Sequence, residues 1–234
     1  MPDGSPCYTL YQRSLRLRAR CPPVSDRPTV WYLAAGYNLP AGVEAYLLQY
    51  ATELRKHGFD TRIYVFDRLP RHKHRYLEAL ERNNVPIDSL YDLCRRKVLL
   101  QFAVLCVPWV FYSALIKHAV PKVIWFWRWL LKRESVCLLD RLIRKHQPDI
   151  IHVKARIIAE TWSVMPPERC VYQHALSGSV DPSWEPQELE AFRHFANRAG
   201  KIFAQGRGVA EKLAREYGIE RPIESVFTMA PDEA

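Results

Sequence analysis

The chain has cysteine in no organised pattern. Its six cysteines, Cys7, Cys21, Cys94, Cys106, Cys137 and Cys170, are scattered through 234 residues with no C-x-x-C pair and no metal-ligand spacing to a nearby histidine. That speaks against a zinc site, and with no secretory signal at the start points to a reducing cytoplasm. Internal repeats and low-complexity tracts are also missing. Residues 1–28 hold several Arg and Pro but no apolar periodicity, and read as a disordered leader without a targeting role.

Acidic residues are absent from a long central stretch. Between Leu93 and Arg133 there is no Asp or Glu, while Arg95, Arg96, Lys97, Lys117, Lys122, Arg128, Lys132 and Arg133 supply eight of the nine excess positive charges. A nucleic-acid surface spreads such charge over a polar face within a recognisable module, and none is visible, so nucleic acid is not expected as a partner. Here the charge flanks two apolar runs, Val98–Ile116 and Val120–Leu131, which carry four of the seven tryptophans. Tryptophan and basic residues at the edges of an apolar run resemble interfacial anchoring. Strand–helix units lie on both sides of the block, and if they share one sheet they must stay on one side of a bilayer. The favoured expectation is therefore a pair of helices, within an insertion at 93–133, lying in the cytoplasmic leaflet. Buried helices of a soluble lobe and a true span or re-entrant hairpin are the alternatives.

What the chain does have is a repeating alternation of strand and helix. Thr29–Ala35 reads as a strand, Gly36–Ala41 as a Gly/Pro loop, and Gly42 opens an amphipathic helix that stops near Gly58. Further strands are expected at 61–66, 149–153, 170–174, 201–205 and 223–228, with a short edge strand at 85–88. Helices are expected at 77–83, 135–146, 156–164, 186–198 and 208–216. This pattern means a parallel sheet with helices on both faces, whose ligands sit beyond the carboxyl ends of the strands. That rule selects 36–44, 154–156 and 174–179 as the rim of a site.

Within the rim, Gly42 exposes backbone N–H groups at a helix start, where the dipole favours phosphate, although a plain helix cap explains it as well. Glu44 lies in the first helical turn, where a carboxylate is favourable without any ligand. Lys154 and Arg156 follow a strand end; a solvated surface is the plainer reading and a phosphate contact the functional one. His174 ends a strand and can bond a sugar hydroxyl or take a proton near neutral pH. His152 lies within its strand and reads as core. Ser177 and Gly178 form a loop able to contact a ligand, or only a turn.

Taken in order, Ala41-Gly-Val-Glu44, Pro148-Asp-Ile-Ile-His152, Tyr172-Gln-His174 and the run Ala199–Leu213 resemble the N-terminal domain of family 4 glycosyltransferases, which have the GT-B fold. The resemblance covers about residues 29–232, without the apolar block. It implies a Rossmann-like domain and a retaining transfer of a sugar from a nucleotide-sugar to an acceptor, without a metal or other cofactor. By position it implies that Gly42 and Ala41 approach the donor phosphates and that His174, the catalytic candidate, lies near the transferred sugar. Glu44, Lys154, Ser177 and Gly178 are the remaining candidate substrate contacts.

Three departures from the family pattern stand out. Gly206 replaces the serine usual in the penultimate strand–helix turn, and Gly200 replaces the aspartate often found before that strand. Thr228–Asp232 stands where the interdomain linker is usually Pro-Asn-Gly-x-Asp. The expectation is that the C-terminal Rossmann-like donor domain, with its basic pair and glutamates, is absent and comes from a longer protein or in trans. The implied partners are a nucleotide-sugar donor, a lipid-linked or glycan acceptor and an anionic membrane surface, placing the chain peripherally on the cytoplasmic membrane face. A non-catalytic binding module of the same fold is the competing reading.

Overall fold

A computed structural model describes residues 27–37, 42–70, 74–95, 98–99, 116–154, 157, 159–174 and 185–226. Residues 1–26 of the leader, Ala41, Arg156, Ser177, Gly178, most of the first apolar run and the stretch after Val226 lie outside the described residues.

The elements follow in order β1 (Thr29–Ala34), α1 (Gly42–Lys56), β2 (Asp60–Val65), α2 (Arg75–Arg82), β3 (Ile87–Ser89), α3 (Ile116–His146), β4 (Ile150–Lys154), β5 (Cys170–His174), α4 (Pro186–Ala196), β6 (Lys201–Gln205), α5 (Arg207–Tyr217) and β7 (Glu224–Val226). The strands form one seven-stranded sheet in the order β3-β2-β1-β4-β5-β6-β7, and every pairing is parallel. The chain builds outward from β1 to β3, then returns to the other side of β1 with β4. The order therefore reverses between β1 and β4, which places a crevice at their carboxyl ends.

Alternation along each central strand feeds two cores, as a sheet covered on both faces requires. Val30, Tyr32, Ala34 and Ile150 join Leu47, Ala51, Leu54 and Leu80 of α1 and α2. Trp31, Leu33, Ile151 and Val153 join Leu139, Phe192, Phe195 and Leu213 of α3, α4 and α5. The Pro148-Asp149 pair has a structural task. The Asp149 carboxylate accepts from the Thr29 backbone N–H at 2.8 Å and from its hydroxyl at 3.0 Å, pinning the start of β1 beside β4.

Most boundaries agree with the periodicity, and two segments differ. The runs read as separate helices at 120–131 and 135–146 are one 31-residue helix, α3. Its midpoint does not break because Glu134 and Ser135 turn inward and are buried, Ser135 lying against Cys94. The stretch expected as an α-helix at 156–164 contains a 3₁₀ turn, Ala159–Ser163. Among the described residues, no helix is long and apolar enough to cross a membrane.

Both glycine departures have a backbone cause. A Cβ on Gly200 would lie 2.6 Å from the carbonyl oxygen of Glu168 and 3.2 Å from that of Cys170, so no side chain fits there. Gly206 has φ 87° as it passes from β6 into α5, a conformation that costs a serine and not a glycine.

Candidate functional site

The sequence-selected residues divide between the two faces of the sheet. Lys154 ends β4 and pairs in register with Gln173 of β5. Because side chains alternate, Gln173 shares the α1 face with Lys154, while the next residue, His174, turns to the α4–α5 face. The rim residues are therefore split between two neighbouring chambers, one on each face of the sheet.

On the α1 face, α1 starts at Gly42, beyond the end of β1, and so brings its N-terminus to the crevice. The Tyr37 hydroxyl donates to the Glu44 carbonyl at 3.0 Å, tying the strand exit to the first helical turn. Glu44 is buried. Lys154 is only 4 % exposed, which corrects the solvated-surface reading. Its ammonium lies 2.9 Å from the centre of the Tyr46 ring. The Tyr46 hydroxyl in turn donates to Gln173 Oε1, and Tyr50 stacks on its ring. Burial drives the Lys154 pKa down to about 7, opposed by the nearby Glu44 carboxylate. His152, two residues back on the same face, is buried against Tyr32 and Tyr46. Desolvation, followed by the charge of Lys154, pushes its pKa down to about 3, so it is a neutral core group as read from the sequence.

On the opposite face His174 is 3 % exposed and lies under the Tyr217 ring at 5.8 Å. Its Nδ1 is 3.1 Å from the Tyr172 hydroxyl. Burial lifts the Tyr172 pKa well above the ordinary tyrosine value, so that hydroxyl keeps its proton. When it donates to Nδ1, the imidazole carries its own proton on Nε2. That atom is buried and has no hydrogen-bond partner among the described residues. Burial also lowers the His174 pKa to about 4. The imidazole is neutral at physiological pH, and its chemistry there is to offer one N–H to an oxygen rather than to hold a charge.

Sequence reasoning gave no role of their own to Tyr46, Gln173 and Tyr172, which line the two chambers. Their signals are periodicities: Tyr46 lies within the first two turns of α1, and Gln173 and Tyr172 alternate on one strand. Among the described residues no group of three or more His, Cys, Asp or Glu is placed to hold a metal ion.

A doubly wound parallel sheet with a helix N-terminus at its switch point is the architecture of nucleotide-binding α/β domains. The family model described as Glycosyltransferase Family 4 matches residues 40–228. The chain belongs to that family. No curated protein matches it. Similar solved structures include a glycosyltransferase from Rickettsia africae, at 14% identity and a TM-score of 0.49, covering 87% of this chain and 43% of that one. Anabaena HepE in complex with UDP and glucose is 13% identical with a TM-score of 0.47, covering 86% of this chain and 44% of that one. A Listeria monocytogenes protein described as a UDP-N-acetylglucosamine 2-epimerase is 11% identical with a TM-score of 0.46, covering 82% and 43%. The chain thus spans less than half the length of these structures.

Proposed function

We propose that the chain is the N-terminal, acceptor-side half of a retaining glycosyltransferase that moves a sugar from a nucleotide-sugar to a lipid-linked acceptor. The observation that carries this reading is the family match over residues 40–228. The helix start at the switch point supports it, since backbone N–H groups at Gly42 and the preceding Ala41 suit the donor diphosphate. In this reading His174 donates from Nε2 to an oxygen of the transferred sugar, and Glu44, Ser177 and Gly178 border the substrate. The opposing lobe, a second Rossmann-like domain, comes from a longer protein or in trans. Catalysis rests on positioning and on stabilising the leaving diphosphate.

The deciding experiment joins the chain to its natural downstream segment and screens nucleotide-sugars against lipid-linked acceptors. Transfer with retention of anomeric configuration is the expected result. Binding of a nucleotide-sugar without transfer to any acceptor would leave a non-catalytic module of the same fold.

The membrane part of the proposal rests on the α3 surface. Trp129 is 40 % exposed, Arg133 stacks over it at 5.5 Å, and Arg128 is exposed beside it. Leu93 and Leu99 are also exposed near the cluster of Cys94, Val98, Leu130 and Leu131. An apolar patch edged by arginine suits the headgroup region of an anionic leaflet, with the chain on the cytoplasmic face. The protein is expected to sediment with vesicles containing phosphatidylserine and to be released by high salt. Equal recovery in the supernatant with and without vesicles would remove the membrane assignment.

A further inference from the structure

Lys154 does not sit where an ordinary surface lysine sits. It closes β4 at the crevice between β1 and β4, and it is buried. Among the described residues its ammonium has no hydrogen bond or ion pair; what it touches is the face of Tyr46. The groups around it are few. From α1 come Tyr46 and the buried carboxylate of Glu44, whose charge acts on Lys154. From β4 comes neutral His152, and from β5 comes Gln173, whose side-chain oxygen is already taken by the Tyr46 hydroxyl. From β1 comes Tyr32, which packs on His152.

Two positive features therefore converge on one small volume: the N-terminal end of a 15-residue helix and a buried ammonium held by a ring. A helix start alone binds nothing specific, but beside it stands a desolvated cation that, among the described residues, makes no hydrogen bond or ion pair. One carboxylate, Glu44, faces them both. The positive end of the helix dipole offsets part of that negative charge. An arriving dianion would supply what the ammonium lacks, and Tyr46 provides a weak resting contact from which Lys154 can swing.

We propose that Lys154 and the first turn of α1 form a phosphate subsite on the α1 face of the crevice, across the sheet from His174. Only the carrier of the phosphate rests on the glycosyltransferase reading; it is either the diphosphate of the donor or the phosphate of a lipid-linked acceptor. On binding, the ammonium leaves the Tyr46 ring for a phosphate oxygen. Any Lys154 that was neutral takes one proton from solvent onto Nζ.

The test follows the ¹³Cε resonance of Lys154 in lysine-labelled full chain, assigned with Lys154→Arg. In the free protein the resonance titrates near neutrality, and saturating inorganic pyrophosphate is expected to move its midpoint up by about one pH unit or more. Lys154→Met is expected to weaken pyrophosphate binding about tenfold or more, and Lys154→Arg to keep most of it. A nucleoside diphosphate and a short-chain polyprenyl phosphate are then compared; whichever reproduces the shift identifies the carrier. A midpoint unmoved by all three ligands, or a folded Lys154→Met that binds pyrophosphate as tightly as the parent, would overturn the subsite. Sugar transfer with an unmoved resonance would remove the subsite and leave the enzyme reading standing. A moved resonance without transfer in the joined protein would do the reverse.

Discussion

Lys154→Met is expected to make the protein more stable at neutral pH. Burial lowers the Lys154 pKa from 10.5 to about 7. Between those values the unfolded chain holds a proton that the folded chain has largely given up. The sign follows directly: stability rises as pH rises from about 7 toward 10.5, because the unfolded state binds more protons throughout that window. At pH 7 the folded protein thus carries a penalty on the order of 4 kcal/mol, which methionine abolishes while filling similar volume. Urea unfolding at pH 7 and at about pH 9.5 should show the parent gaining stability with pH and the variant starting higher with a flatter dependence. Equal slopes for the two proteins would mean that Lys154 is hydrated in the fold. On the acid side His152 and His174, held down at about 3 and about 4, act in the same direction. Stability should fall as pH drops from about 6.5 through those values, since only the unfolded chain takes up the protons.

His174→Ala in the joined, two-lobed enzyme is expected to lower kcat about a hundredfold while costing about 2 kcal/mol of stability. The stability loss has a clear source: the Tyr172 hydroxyl, 3.1 Å from Nδ1, loses its partner inside the core. The kcat loss has another, the removal of the free Nε2–H that the reading assigns to the sugar. Because burial keeps the imidazole neutral, the pH profile of kcat should show no break near 6.5 belonging to this residue. A hundredfold loss that disappears when the variant is assayed well below its unfolding temperature would assign His174 to packing alone.

The alternating strands were open to reading because each central strand is apolar on both sides, and nothing but a doubly covered sheet accounts for Val30 through Ala34 all being buried. The helix start at Gly42 and the strand end at His174 were legible for the same local reason. Lys154 was not. A charge at the end of a strand reads as solvated, and the ring it lies against belongs to Tyr46, far away in sequence. No local window contains that contact. The unbroken α3 was hidden for a related reason: Glu134 and Ser135 read as polar punctuation, while tertiary packing turns them inward. Gly200 and Gly206 appeared as departures from a pattern, and their cause is a carbonyl 2.6 Å from a missing Cβ and a positive φ.

Gln173 and His174 are adjacent, yet the pleat sends one toward Tyr46 and the other toward Tyr172. Sliding that strand by a single position against β4 and β6 would empty both chambers of their present groups: one direction would bring the imidazole into the lysine's chamber, the other would put the amide beneath Tyr217 and Tyr172 beside the lysine. The chemistry of both chambers thus depends on one parity. A deletion inside 170–173 strikes at that parity directly.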